Sequence, residues 1–135
     1  MKVFFDTGAW IALQIKNDTN HIAAVKYFKL LQSKRAMLFT NDYVLSETYT
    51  RLIYDFGLPA ALKFKQKTEE GFTKNLNLIE IDKKEREEAW RILQKFSDHK
   101  LSFADATVAA NYWSFNLNAV FTFDHHFRNI GIPTN

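Results

Sequence analysis

Four short apolar segments alternate with longer helical segments along this chain, and this alternation limits the folds that it can adopt. The apolar segments KVFF (2–5), AMLFT (36–40), LNLIEI (76–81) and NAVFTF (118–123) have the length and composition of buried strands. Strands that alternate with helices are typical of a parallel sheet covered by helices. The sequence therefore predicts an α/β fold, with a small parallel sheet of four or five strands flanked by helices on both faces.

The segments between the predicted strands carry signals that begin and end helices. Asn41 is suited to cap a helix that Gly57 ends, and Pro59 suits the first turn of the next helix. Two pairs have capping-box spacing: Asp82 with Glu85, and Ser102 with Asp105. The helix between the first two strands is expected to bury a face made of Ile22, Val25, Phe28 and Leu31.

The composition predicts a folded chain with a sizeable core. At 135 residues, with 47% hydrophobic residues and 13 Phe, residues 1–135 are expected to form a single domain. Trp10, Trp90 and Trp113 fit helix faces and are expected in the core. No stretch reaches about 20 apolar residues, and Asp6 interrupts the first apolar run too early for a secretory leader. We therefore expect a cytoplasmic protein that does not associate with membranes.

The triplet Asp6-Thr7-Gly8 follows the first strand and has three interpretations. It is the triplet of aspartic proteases, but those proteins are β-rich, whereas helical sequence follows the triplet here. Asp6 also has the position of an N-cap for the short helix AWIALQI. Alternatively, Asp6 holds a metal or a phosphate, because open parallel sheets bind ligands beyond the carboxyl ends of their strands. The triplet alone leaves the cap and ligand interpretations open.

Three further acids fall at comparable positions. Asp124 follows the fourth strand, Asp105 lies in the first turn of a helix, and Glu47 lies about one turn into the helix after the second strand. Each acid has a structural explanation, as a cap, an Asx-turn or a solvent-exposed helix residue. Structural caps need not meet in space, whereas the ligands of one metal ion must. Convergence of these three acids with Asp6 would therefore indicate a metal site.

The types of residue in this set favour a particular chemistry. Clustered carboxylates repel one another unless a cation or a proton neutralises them. Oxygen ligands in a chain without Cys suit Mg²⁺ or Mn²⁺, and such ions can activate water for attack on a phosphodiester. The net charge of +3 is compatible with a polyanionic partner. We therefore favour a metal-dependent enzyme that acts on a nucleic acid.

Several stretches of the chain resemble the PIN domain family, and within it the VapC-type toxin ribonucleases. The stretches are FFDTGAWIAL (4–13), NDYVLSETYTRL (41–52), LSFADATVAA (101–110) and NAVFTFDHHF (118–127). The resemblance implies an endoribonuclease dependent on Mg²⁺ or Mn²⁺, with Asp6 and Asp105 as principal metal ligands. It further implies that Glu47 and Asp124 complete an acidic quartet and that Thr7 supports the site.

The resemblance to these toxins also implies partners, which are an RNA substrate, a cognate antitoxin protein and a second copy of the chain in a homodimer. Two related functions stay open, namely a housekeeping PIN ribonuclease in RNA maturation and a PIN module that binds RNA or protein without cutting. An Asp-nucleophile phosphatase is disfavoured because Gly8 occupies the position of its second Asp. His125 and His126 are adjacent in a predicted turn and are expected at the surface rather than at a metal.

Overall fold

In a computed structural model, which describes residues 1–135, the chain forms a four-stranded parallel sheet and seven helices. The strands are β1 (Lys2–Phe5), β2 (Met37–Asn41), β3 (Leu76–Ile79) and β4 (Ala119–Phe121). The helices are α1 (Thr7–Gln14), α2 (His21–Ser33), α3 (Asp42–Phe56), α4 (Leu58–Phe72), α5 (Lys83–Lys95), α6 (Phe103–Ser114) and α7 (His126–Asn129). The predicted α/β fold class is confirmed. None of the helices has the length and apolar character that crossing a bilayer requires.

The order of the strands creates a ligand-binding position at one edge of the sheet. The order is β3-β2-β1-β4, and all neighbouring strands are parallel. The chain moves outward from β1 to β3 and then returns to place β4 on the other side of β1. Because such crossovers are right-handed, α1 to α4 cover one face of the sheet, and α5 and α6 cover the other. The reversal leaves a crevice beyond the carboxyl ends of β1 and β4, where open sheets bind ligands.

Aromatic packing fixes the strands that border this crevice. The ring of Phe5 in β1 lies 4.7 Å from that of Trp10 in α1 and 4.9 Å from that of Phe121 in β4. Trp10 in turn contacts Phe64 of α4, with a centroid distance of 5.5 Å. All four side chains are buried. The residues that directly follow β1 and β4 therefore extend from a rigid part of the core.

Helix α2 buries most of the predicted face, since Leu31 is buried and Val25 and Phe28 are half-buried, but not Ile22. Ile22 is 84% exposed, whereas Ala24 and Leu31 are buried and Tyr27 and Phe28 pack against the core. These four residues also recur at helical spacing, but they include a small residue, Ala24, and an amphipathic residue, Tyr27. The prediction for Ile22 is wrong, because a pattern based on large apolar residues gives too little weight to Ala24 and Tyr27.

Two of the three tryptophans also lie outside the core. Trp10 is buried as predicted, but Trp90 is 59% exposed, and Trp113 is exposed as well. Their rings pack against Phe103 and Phe96 at centroid distances of 5.0 and 6.4 Å. The residues that α6 buries are mostly small, and small side chains allow close contact between helices. The large rings therefore lie at the margins of the contact between α5 and α6.

A buried amide network joins the start of α3 to α6. Asn41 Oδ1 accepts a hydrogen bond of 2.8 Å from the Val44 N–H, so the predicted N-cap is confirmed. Asn41 Nδ2 donates to Asn111 Oδ1 at 2.9 Å and to Thr107 Oγ1 at 3.1 Å. One side chain thus satisfies the first turn of α3 and also fixes the position of α3 against α6.

The same network changes one of the predicted capping boxes. Asp82 accepts from the Glu85 N–H at 2.9 Å, as a cap should. The Glu85 carboxylate, however, accepts from Asn111 Nδ2 at 3.1 Å and does not return to the Asp82 backbone. The capping box at Asp82 is therefore only half formed, because the buried amide draws the Glu85 side chain toward α6.

Replacement of Asn41 should test how much this network stabilises the fold. Asn41→Ala removes the cap of α3 and leaves the Asn111 carbonyl without its buried donor, so the free energy of unfolding should fall by about 2 kcal/mol. Asn20→Ala is a matched control, because Asn20 occupies the N-cap of α2 but makes no side-chain cap bond. The control should cost less than about 0.5 kcal/mol in urea unfolding. Equal losses in the two variants would contradict the role of the network.

Candidate metal centre

A polar cleft of about 420 Å³ lies beyond the ends of β1 and β4. Its lining includes all four acids that the sequence singled out: Asp6, Glu47, Asp105 and Asp124. Another cavity, of about 440 Å³, lies beside α1, α2 and α4, but Glu70 is the only acid in its lining. The polar cleft is therefore where segments distant in sequence bring carboxylates together.

Asp6 is the most buried of these acids. Its N–H donates to the Phe121 carbonyl at 3.0 Å, which continues the pairing of β1 with β4. The side chain is only 8% exposed, and its Oδ2 accepts from Thr122 Oγ1 at 2.9 Å. Although Asp6 precedes α1, its side chain makes no cap hydrogen bond. Asp6 thus occupies the N-cap position of α1 without a side-chain cap hydrogen bond, and its carboxylate faces the cleft.

The surroundings of Asp6 disfavour its negative charge. The pKa of Asp6 is raised from 3.8 to about 7, mainly by burial and to a smaller extent by the nearby charges of Asp105 and Glu47. The Thr7 N–H and the Thr122 hydroxyl stabilise the carboxylate but oppose the shift only in part. A proton or a cation is therefore needed to neutralise this group near neutral pH.

Asp105 has a structural role and also faces the cleft. The Ser102 hydroxyl accepts from the Asp105 N–H at 3.0 Å, and Asp105 Oδ2 accepts from the Ser102 N–H at 3.1 Å. The predicted capping box of α6 is therefore complete. The Asp105 side chain is only 14% exposed. Because the box fixes its rotamer, the carboxylate is held in place on the cleft wall.

Asp124 forms the predicted Asx-turn, in which Oδ1 accepts from the His126 N–H at 2.9 Å. The same turn directs the His126 ring back toward the acids, with Nδ1 at 3.2 Å from Asp124 Oδ1 and 3.5 Å from Asp105 Oδ2. The Nδ1 edge of the His126 ring therefore faces the acids, while the side chain as a whole is 40% exposed. The prediction missed α7, whose first residue is His126 and which turns the chain at this point. His125 is exposed, as expected.

Sequence reasoning missed further cleft residues, among them Asp18, Arg51 and Thr122. Thr122 donates to Asp6 and accepts from the Asp124 N–H at 3.0 Å, so one hydroxyl connects two of the acids. Arg51 lines the cleft one helical turn after Glu47, which is itself exposed. Helical spacing from Glu47 would have indicated Arg51, and the position two residues before Asp124 would have indicated Thr122.

The donors in the cleft fit a divalent cation. Carboxylate oxygens are the ligands that Mg²⁺ and Mn²⁺ prefer, and no thiolate competes with them. The Thr7 hydroxyl is buried at the cleft but has no hydrogen-bond partner in the protein. Buried polar atoms without partners are rare, and an ion with its bound waters would supply one. Asp6, Glu47, Asp105 and Asp124 are the residues that could hold such an ion.

Residues 3–133 match the PIN domain. The chain belongs to the PIN domain family. The 23S rRNA-specific endonuclease VapC20 of Mycobacterium tuberculosis is 28% identical over 129 residues, which cover 96% of this chain and 94% of VapC20. The predicted resemblance to PIN domains and to VapC toxins is confirmed.

Solved structures of PIN toxins share the fold of this chain. The crystal structure of M. tuberculosis VapC20, a Sarcin-Ricin loop cleaving toxin, gives a TM-score of 0.82 at 26% identity, covering 96% of this chain and 95% of that one. VapBC2 from Rickettsia felis, bound to a DNA fragment from its promoter, gives a TM-score of 0.70 at 16% identity. The match covers 100% of this chain and 98% of that one. DNA-bound VapBC from Salmonella typhimurium gives a TM-score of 0.64 at 18% identity, and the match covers 100% of this chain and 97% of that one.

The raised pKa of Asp6 predicts how stability depends on pH when no divalent ion is bound. Between pH 3.8 and about 7, the folded protein keeps the Asp6 proton that the unfolded chain loses. The folded state then binds more protons, so the free energy of unfolding should fall as the pH rises through this range. This difference in pKa corresponds to a loss of about 4 kcal/mol. Urea unfolding in EDTA from pH 4 to pH 8 would measure this loss.

Two variants assign this pH dependence to one residue. Asp6→Asn has no proton to lose, so its stability should fall much less over the same range. Asp55→Asn replaces an exposed acid of α3 outside the cleft and should keep the wild-type slope. If Asp6→Asn kept the wild-type slope, the buried carboxyl would not be the source of the pH dependence.

Proposed function

We propose that this PIN domain is an endoribonuclease dependent on Mg²⁺ or Mn²⁺ and that it is the toxin of a toxin–antitoxin pair. The observation that carries the proposal is the convergence of four acids on one cleft at the β1–β4 reversal. Structural caps alone give no reason for this convergence, whereas a shared metal ion requires it. The 23S rRNA-specific endonuclease VapC20 supports RNA as the substrate class.

In this proposal the acids have different roles. Asp6 and Asp105 are the principal ligands of the ion. Glu47 completes the site or orients the attacking water, and Asp124 supports a second ion or a bridging water. When bound, the ion supplies positive charge that activates a water molecule and stabilises charge on the phosphodiester oxygens.

The raised pKa of Asp6 bears on its role as a metal ligand. With a pKa of about 7, the carboxyl carries a proton for much of the time at neutral pH when no cation is present. Because Thr122 donates to Oδ2, this proton resides on Oδ1. Binding of a divalent ion displaces the proton, so the affinity for the ion should rise as the pH increases through 7.

Arg51 is the basic residue that lines the cleft, and we assign it to the substrate phosphate. It lies one helical turn from Glu47, and no carboxylate of the protein forms a salt bridge with it. A guanidinium in this position is available to bind a phosphate group in a bidentate manner, through two N–H donors. Arg51 would thus hold the backbone of the RNA beside the acids.

The proposed partners are a cognate antitoxin and a second copy of the chain. Exposed apolar side chains occur close together around the α3–α4 junction, including Ile53, Tyr54, Phe56, Leu58 and Leu62. Monomeric proteins rarely expose such clusters unless they bind another protein there. The VapBC structures of related fold support an antitoxin as one partner.

Light scattering of the purified chain should give the mass of a dimer, and the mass of a monomer would contradict the homodimer.

Replacement of Asp105 should separate the metal role from the capping role. Asp105→Asn keeps an oxygen that can accept from Ser102, so without metal the variant should be at least as stable as the wild type. It should lose most of the rise in melting temperature that millimolar Mg²⁺ or Mn²⁺ gives the wild type. Cleavage of an unstructured RNA and of a sarcin–ricin loop oligonucleotide should fall by about 100-fold or more.

Asp82→Asn is the matched control for this experiment. Asp82 also accepts a capping hydrogen bond at a helix start, as the N-cap of α5, but lies outside the cleft. Its replacement should change neither the response to metal nor the rate of RNA cleavage. Wild-type cleavage by Asp105→Asn would show that Asp105 is a cap and not a ligand, and the proposed function would lose its main support.

A further inference from the structure

The segment after β4 places a ring nitrogen between two carboxylates of the cleft. His126 Nδ1 lies 3.2 Å from Asp124 Oδ1 and 3.5 Å from Asp105 Oδ2. This nitrogen is buried and makes no hydrogen bond of normal geometry with either acid, although the side chain as a whole is 40% exposed. The exposed part of the ring is therefore its other edge, and Nδ1 is turned inward to the acids.

The three side chains are held in this arrangement by separate local structures. The capping box of α6 fixes Asp105, and the Asx-turn joins Asp124 to the His126 backbone. The next residue, Phe127, is fully buried and anchors α7 to the core. The position of the His126 backbone is therefore set by the fold, and little reorganisation is needed for the ring nitrogen to meet a ligand.

We infer that His126 Nδ1 is a nitrogen ligand of a divalent cation that Asp105 and Asp124 also bind. The three donor atoms all lie within 4.8 Å of one another. Adjacent ligands at about 2.1 Å from one ion are about 3 Å apart, close to the two distances from Nδ1. The inference rests on the proposed metal-dependent activity and specifies a ligand set and an ion preference for the same cleft.

An imidazole ligand changes which ion the cleft prefers. Mg²⁺ binds almost entirely through oxygen, whereas Mn²⁺ accepts oxygen ligands and also stands in the transition-metal series for which imidazole is a suitable ligand. The four acids by themselves give Mg²⁺ and Mn²⁺ similar ligands. The nitrogen of His126 adds a contact that favours Mn²⁺, so the His126 side of the cleft selects Mn²⁺ over Mg²⁺.

Pulsed electron paramagnetic resonance of the protein loaded with Mn²⁺ tests the ligand directly. The wild-type spectrum should contain the ¹⁴N modulation of a directly coordinated imidazole. His126→Gln should lose this modulation, while His99→Gln, which replaces an imidazole outside the cleft, should keep it. A wild-type spectrum without nitrogen coupling would overturn the inference, whether or not the variant folds.

Metal titration of the same proteins tests the ion preference. His126→Gln should weaken Mn²⁺ binding by about tenfold and Mg²⁺ binding by less than about twofold. Equal weakening of both ions would mean that His126 only orients the carboxylates, which contradicts the ligand role.

These outcomes are distinct from failure of the proposed function. If the wild type lacks nitrogen coupling but still binds Mg²⁺ and cleaves RNA in a manner that Asp105→Asn abolishes, only the His126 inference fails. A wild-type protein that binds neither ion and cleaves no RNA would overturn both.

Discussion

The burial of the Asp6 carboxylate at the end of β1 is the constraint around which the cleft is built. An ionised group removed from water is destabilised by several kcal/mol unless hydrogen bonds or opposite charges compensate. Here the Thr122 hydroxyl and the Thr7 N–H compensate in part, while Asp105 and Glu47 add repulsion. The cleft is thus unfavourable for anions, and a cation or a proton that neutralises Asp6 would relieve the cost of its burial at neutral pH.

The helices that carry two of the other acids, Glu47 and Asp105, are positioned by contacts remote from the cleft. The amide of Asn41 begins α3, which carries Glu47, and its hydrogen bonds to α6 set the distance between the two helices. Helix α6 in turn carries Asp105 in its first turn, where its capping box also restricts the side chain. A polar network in the core therefore decides where two of the acids lie, which explains why a buried position here holds an amide rather than an apolar residue.

Much of this arrangement could be predicted from the sequence, because strand composition and cap residues act locally. The acids could be found because Asp6 and Asp124 follow strands and Asp105 opens a helix, while Glu47 lies in the helix after the second strand. Local signals could not show whether Asp6 caps α1, since that depends on the pairing of β1 with β4. The location of Ile22 and the direction of the His126 ring likewise depend on how whole helices pack. Tertiary contacts determine these features, so no short pattern in the sequence predicts them.

The central claim is that a divalent cation replaces the proton of Asp6. Calorimetric titration with Mn²⁺ in buffers of different ionisation enthalpy measures the protons that the protein releases as it binds the ion. With a pKa of about 7, Asp6 should account for about 0.9 proton per ion at pH 6 and about 0.1 at pH 8, measured on the wild type at both pH values. A wild type that releases no more protons per ion at pH 6 than at pH 8 would show that the ion does not displace this proton, and would contradict the account of the cleft given above.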